Sequence, residues 1–413
     1  MKFEQYRISS DLKKSIAALG FKRPTDIQFK AIPHILKGED VLAIAQTGTG
    51  KTAAFAIPVL NLLHERKLRQ QRSDGIKCLV MVPTRELAIQ ITDVFITLGR
   101  HLKVKSYCIF GGVEQEGQIA KLEKGIDLLV VTPGRMFDLI SQGHLNLTRV
   151  EILILDEADH MLDLGFLRDI QDVMRHLPRR RQTLFFSATI DEKIKKLAYT
   201  LVNKPIRIQI SPRDPVTKRV QHSVAFIEMD DKRFFLERLI KEHPEDKILV
   251  FVRTKVRAER VVKAMKRVDI EAITIHGDKD QKERFKVMDQ FKAGKVNLLI
   301  ATDVSARGID IPNVNYVINY DLPEQAENYV HRVGRTGRGT HSGFAVSFCS
   351  EGEKPLLAEI ETFLGKPITI ISLDKTEYTD TIDFSDDHRP DWKALNEEME
   401  AFEKSQRRKK KRK

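Results

Sequence analysis

From Val41 almost to the end of the chain, short apolar runs alternate with longer amphipathic stretches. The first series of runs covers 41–45, 78–82, 106–110, 127–131, 151–155, 183–186 and 206–210. Runs this short and this uniformly apolar predict strands buried on both faces, and strands that alternate with helical stretches predict a parallel sheet covered by helices on both sides. A second series follows at 223–227, 247–252, 272–275, 297–301, 315–319 and 343–348. Between the two lies Ser211-Pro-Arg-Asp-Pro-Val-Thr-Lys-Arg219, polar and holding two prolines, which reads as a linker. The fold class is therefore α/β in two lobes, 1–210 and 222–372, each a mostly parallel sheet, joined by a short linker over 211–221. Residues 1–40 read as helices and turns leading into the first strand, with Pro24-Thr25 ending one segment and capping the next. Past Ser372 the composition turns acidic, and 373–413 reads as a charged, disordered tail with a basic C-terminus.

Composition narrows this only a little. A chain of 413 residues has room for two to three domains, and 41% hydrophobic residues exclude wholesale disorder. No apolar run reaches the ~20 residues of a membrane span, and the N-terminus lacks the apolar core of a signal peptide. Cys78, Cys108 and Cys349 each sit in an apolar run, which predicts buried reduced thiols and a cytoplasmic protein. No His/Cys cluster has metal-ligand spacing. The net charge is +12, but residues 404–413 carry eight Lys/Arg and no acid, which leaves +4 on the rest. Basic binding surface on the lobes must then be local, while the end of the chain is a separate polycation.

Three stretches carry chemistry. The first strand runs into Gln46-Thr-Gly-Thr-Gly-Lys-Thr52 and then a helical stretch. Strand, glycine-bearing loop, Lys-Thr, helix is the setting of a phosphate loop. Backbone N–H groups of Gln46, Thr47, Gly48, Thr49 and Gly50 ring the phosphates, Lys51 reaches the terminal ones, and the Thr52 hydroxyl ligates Mg²⁺. Ala45 stands where the general pattern has Gly. Next, Asp156-Glu-Ala-Asp159 follows the apolar run 151–155, so its acids face the crevice at the strand's C-terminal end. Asp156 suits Mg²⁺ and Glu157 suits orienting and deprotonating a water. A helix cap accounts for one acid here, but poorly for three within four residues. Last, the second lobe has no phosphate loop and presents His331-Arg-Val-Gly-Arg-Thr-Gly-Arg338 instead. Arginines between glycines suit a grip on phosphate, and Arg335 and Arg338 supplied by one lobe to a triphosphate on the other would be an arginine finger.

With these residues in view, the chain resembles the DEAD-box ATP-dependent RNA helicases over about residues 3 to 370. Phe21 through Gln28, with Phe3 upstream, is similar to the adenine-reading Q motif, and Ala45 to Thr52 is that family's own phosphate loop. Pro83-Thr84-Arg85-Glu-Leu-Ala, Gly111-Gly112 and Thr132-Pro133-Gly134-Arg135 match first-lobe RNA motifs. Asp156 to Asp159 matches the name-giving motif, and Ser187-Ala-Thr189 matches the coupling motif, linking Asp159 to RNA binding. In the second lobe Val250 to Thr254, Gln281 with Arg284, and Ala301-Thr302-Asp303 through Asp310 match, followed by the arginine motif with His331. Val252 stands where many members have a smaller residue. The resemblance implies two tandem RecA-like lobes closing on ATP·Mg²⁺ and RNA, with Asp310 at the nucleotide and Thr254, Gln281, Arg284, Thr302 and Asp303 at the RNA. It also implies local duplex opening without long translocation. The short basic tail resembles bacterial RhlE-type members, pointing to ribosome assembly or RNA turnover by a monomer.

Unaided by resemblance, Thr84-Arg85, Thr132 to Arg135 and Thr302-Asp303 each follow an apolar run and fall on one rim. Hydroxyls, N–H groups and arginines there suit a sugar-phosphate track that ignores base identity. RNA rather than DNA rests on the resemblance, since no residue visibly reads a 2′-OH. Two rival readings remain. One is an ATP-gated RNA clamp serving as an assembly platform, against which Glu157, Arg335 and Arg338 speak. The other is a DNA translocase, separable by comparing RNA and DNA as stimulants of ATP hydrolysis.

Overall fold

The computed structural model describes residues 2–46, 48–69, 75–190, 192–210, 216, 219–306, 311, 314–337 and 342–385. The sequence expectations for Thr47, Asp310, Arg338, most of the linker, the Gln281 side chain and the basic C-terminus lie outside the described residues.

The first lobe holds strands β1 (Val41–Ala45), β2 (Cys78–Met81), β3 (Ser106–Ile109), β4 (Leu128–Val131), β5 (Ile152–Leu155), β6 (Gln182–Ser187) and β7 (Ile206–Ile210). The second holds β8 (Val220–Phe226), β9 (Ile248–Phe251), β10 (Ile273–Ile275), β11 (Leu298–Ala301), β12 (Tyr316–Asn319), β13 (Gly343–Cys349) and β14 (Thr369–Ile371). All named pairs are parallel, and the orders are β3-β4-β2-β5-β6-β1-β7 and β10-β11-β9-β12-β13-β8-β14. Counted from the start of each lobe the two orders are the same, the tandem RecA-like arrangement. This repeat lives in the topology, because parallel packing needs apolar character at each strand and not a particular residue.

Why the runs are uniformly apolar is visible in β1. Val41, Ala43 and Ala45 pack into one core, Leu42 and Ile44 into another on the opposite face. In the second lobe β9 divides likewise, with Leu249 and Phe251 on one side and Ile248 and Val250 on the other. Helices on both faces leave no solvated side for polar residues to occupy.

Two elements depart from expectation. β14 is a three-residue edge strand, exposed along its length, and its Ile370-Ile371 pair is too short a run to mark a strand. The acidic stretch predicted to be disordered from 373 instead forms the helix Lys375–Asp383. Asp374 caps it in a reciprocal box with Glu377. Tyr378 then anchors it, its hydroxyl donating to Asp231 Oδ2 at 2.8 Å and accepting from the Glu228 N–H at 3.0 Å. Its ring meets Phe235 at 5.0 Å. The lobe thus extends to Ser385, past the boundary set by composition. Among the thiols, Cys78 and Cys349 are buried as expected, whereas Cys108 is only half-buried.

Candidate functional site

Because β5, β6 and β1 are neighbours, the loops leaving their C-terminal ends converge. Ser187 at the end of β6 pairs in register with Ile44 of β1, and Leu155 of β5 with Phe185 of β6. The phosphate loop, Asp156–Asp159 and Ser187–Thr189 therefore meet at one rim.

In the phosphate loop Gly48 and Gly50 adopt φ of 79° and 92°, open to glycine at little cost. A Cβ on Gly50 would lie 2.5 Å from Gln28 Nε2. The Thr49 hydroxyl donates to the Gln46 carbonyl at 2.7 Å, tightening the turn. Lys51 opens the helix Lys51–Arg69, and its Nζ is buried without a partner. A buried ammonium carries a desolvation cost that an anion at this point would offset, so the donor set fits a phosphate.

Gln28 sits under this loop. Its Oε1 accepts from the Thr25 N–H at 3.0 Å, completing the cap of the helix Asp26–Leu36, and its Nε2 donates to the Gly50 carbonyl at 3.2 Å. One donor hydrogen and one acceptor lone pair of the amide remain after those bonds. Phe21, partly exposed, lies with its ring 6.2 Å from that of Phe3.

The acids diverge in environment. Burial raises the Asp156 pKa to about 6, against the pull of Lys51. Burial also works to raise that of Glu157, but the hydrogen bond and charge of His160, with Lys51 and Arg335, bring it down to about 2. Glu157 is thus ionised throughout the physiological range. Arg335 belongs to the second lobe, so its field at Glu157 records that the lobes are docked. Asp159 Oδ2 accepts from the N–H groups of Ala188 and Thr189 at 3.0 and 3.1 Å and from the Thr189 hydroxyl at 3.3 Å. The neighbouring Ser187 Oγ is buried without a partner. A cavity of about 570 Å³ separates the lobes, lined by Glu157, His160 and Thr189 on one side and Asn328, His331 and Arg335 on the other.

Across the rim lie the predicted RNA residues. Thr84 caps the helix Arg85–Leu98, Thr254 caps Lys255–Arg267, and Pro133 opens the helix Pro133–Ser141 beyond Thr132. The first-turn N–H groups of such helices face outward, as phosphate requires. A Cβ on Gly112 would lie 2.1 Å from a guanidinium nitrogen of Arg85, so glycine makes room for that side chain. Burial lowers the Arg85 pKa, and Arg284 and Arg135 push it the same way against Glu86. Arg135 NH2 donates to the Val113 carbonyl at 2.8 Å while its Nε and NH1 are buried without partners. Arginines crowded this way are relieved by an anionic backbone laid among them.

Some pairings were not anticipated. Arg284 forms an ion pair with Glu86 at 2.8 Å, joining the two lobes, so its guanidinium is engaged by that acid. The Asp303 carboxylate holds the buried Arg332 through two bonds of 2.6 and 2.7 Å, which commits it to the arginine motif. Thr302 donates its hydroxyl to Ser305 at 3.3 Å. Glu86 was legible as an acid inside a basic motif. Arg332 gave no signal beyond its place among other arginines.

A phosphate loop and acidic turn on one RecA-like lobe, with Arg335 of a second across a cavity, define the class of two-lobed nucleotide-driven proteins. Comparisons with known proteins make the class definite. The DEAD/DEAH box helicase family matches residues 25–197, and the helicase conserved C-terminal domain matches 231–340. The chain is 37% identical to the ATP-dependent RNA helicase DbpA of Bacillus subtilis over 375 residues, 91% of this chain and 77% of that one. It is 39% identical to the DEAD-box ATP-dependent RNA helicase CshA of Geobacillus kaustophilus over 361 residues, 87% of this chain and 76% of that one. Among solved structures, S. cerevisiae Dbp5 bound to RNA and ADP BeF3 superposes with a TM-score of 0.80 at 30% identity, covering 92% of this chain and 98% of that one. The chain belongs to the DEAD-box family of ATP-dependent RNA helicases. Among the described residues no helix is long and apolar enough to cross a membrane.

Proposed function

We propose that this RNA helicase works as a closing clamp, gripping single-stranded RNA between docked lobes and opening short duplexes or remodelling ribonucleoproteins locally. The observation that carries the reading is the docking itself: Arg335 bears on Glu157 at the nucleotide rim while Arg284 pairs with Glu86 at the RNA rim. One act of closure thus assembles both sites. In this reading Lys51 with the loop 46–50 holds the phosphates, and Gln28 and Phe21 hold adenine by its edge and face. Glu157 orients the attacking water and takes its proton, and Arg335 and Arg338 balance the charge that develops on the phosphoryl group. Asp159, through Ala188 and Thr189, ties the nucleotide rim to the RNA motifs. Thr84, Arg85, Thr132 to Arg135, Thr254 and Thr302 carry the RNA backbone.

Thr52 and Asp156 would hold Mg²⁺, and the buried, charge-deficient Asp156 fits a dication. When bound, the ion neutralises phosphate charge and fixes the orientation of the triphosphate. Both halves of the site come from one chain, which supports a monomer as the working unit. Free cysteines suit the cytoplasm, and sequence-independent RNA contacts suit ribosome assembly or RNA turnover.

Glu157→Gln tests the reading. It should keep ATP and RNA affinity while turnover falls ~10²–10⁴-fold, the usual effect of losing a general base. Near-normal hydrolysis would remove Glu157 from that role.

A further inference from the structure

The proton-accepting role of Glu157 leaves open what aims its carboxylate. Glu157 adopts φ 51° and ψ 49°, a left-handed conformation that non-glycine residues seldom take. That turn swings the side chain out of line with β5, and the helix Ala158–Asp163 begins at once. Three residues on, on the same face of that helix, stands His160. Its ring is buried, 5% exposed, with Nδ1 3.3 Å from Glu157 Oε2. A carboxylate oxygen offers lone pairs, so the ring nitrogen facing it takes the donor role, Nδ1–H to Oε2. The other ring nitrogen, Nε2, is buried without a partner, and the ring borders the interlobe cavity.

Lys51 and Arg335 also act on this carboxylate. Both are long cations that the proposed reading assigns to phosphate, and Arg335 reaches the site only when the lobes dock. His160 belongs to the same turn as Glu157, so its contact depends on neither event.

We infer that His160 is a positioning residue for hydrolysis, holding the Glu157 carboxylate through Nδ1–H so that its other oxygen faces the attacking water in every nucleotide state. The inference rests on the reading of Glu157 as the base. It requires one donor at the δ position of residue 160 and makes no use of its charge.

Two substitutions separate this from mere packing. Asparagine places an amide N–H where Nδ1 stands, whereas leucine fills the space with no donor. His160→Leu should lower RNA-stimulated kcat roughly 10- to 100-fold, the range for losing a hydrogen bond to a charged group. It should leave the KM for ATP and the affinity for RNA unchanged. His160→Asn should stay within about threefold of wild type. In the Glu157→Gln background His160→Leu should add nothing further, since the group it aims is gone. Full activity of His160→Leu beside an inactive Glu157→Gln overturns this inference alone. Equal losses in the Leu and Asn variants, or a KM that moves with kcat, overturn it as well. An active Glu157→Gln overturns both this inference and the reading beneath it.

Discussion

Asp156 shows how a single side chain trades stability for chemistry. Its carboxyl is buried at the end of β5 beside two other acids, and its pKa stands near 6 where an ordinary Asp has 3.8. Below pH ~4 the group is protonated in folded and unfolded chains alike and costs nothing. Between about 4 and about 6 the unfolded chain has shed the proton while the folded chain still holds it, and above about 6 the folded chain carries a buried ionised group. Each pH unit between the two pKa values is worth about 1.4 kcal/mol, so stability should fall by about 3 kcal/mol over that interval. Asn at position 156 keeps an oxygen to accept the Glu157 N–H, a bond of 3.0 Å here. Asp156→Asn should then raise the melting temperature of the nucleotide-free protein at pH 7–8 and make no difference near pH 4. Melting both proteins across that pH range checks it, and an equal change at every pH would contradict the assignment. Glu157, one residue on, runs the other way, because His160, Lys51 and Arg335 more than offset its burial. Adjacent carboxyls pushed apart in this manner take different tasks.

At the scale of elements, most of the architecture could be read from the runs of apolar residues. A strand buried on both faces has no choice but to be apolar throughout, and β1, β5 and β9 show it. β14 escaped because an exposed edge strand obeys no such constraint. The helix Lys375–Asp383 escaped because it is docked by a few polar contacts, those of Tyr378 and Thr381 with a capping box, set in a composition that otherwise favours solvent. Losing the Tyr378 hydroxyl removes a bond to Asp231 and one from the Glu228 N–H. Tyr378→Phe should cost about 1–2 kcal/mol, and for a lobe this size a fall of roughly 2–8 °C in its melting temperature, with ATP turnover unchanged. An unaltered melting temperature would show that the helix is not docked through this residue. The local parts of the site, Gly48 to Thr52 and Asp156 to Asp159, were legible for a like reason, since each is one turn after a strand. Arg284 with Glu86 and Asp303 with Arg332 were not. Pairs formed between distant segments leave no spacing in the chain, and sequence alone placed Arg284 and Asp303 on the RNA.

For the molecule as a whole, the proposed activity depends on docking of the two lobes. Two lobes with the same strand order present unlike loops to each other: the phosphate loop and acids on the first, Arg335 on the second. Under the proposed reading neither lobe hydrolyses ATP alone, and the Arg284–Glu86 pair bridges them at the far rim. The same reading predicts that RNA and ATP are coupled because each favours the closed arrangement. The most direct test is steady-state ATP hydrolysis by Arg335→Ala with saturating RNA, measured beside nucleotide binding to the same protein without RNA. The expected result is nucleotide affinity close to wild type in the open form and RNA-stimulated turnover reduced by ~10³-fold or more, in line with the loss of an arginine finger. Normal RNA-stimulated hydrolysis by Arg335→Ala would contradict the claim that the active site is built from both lobes.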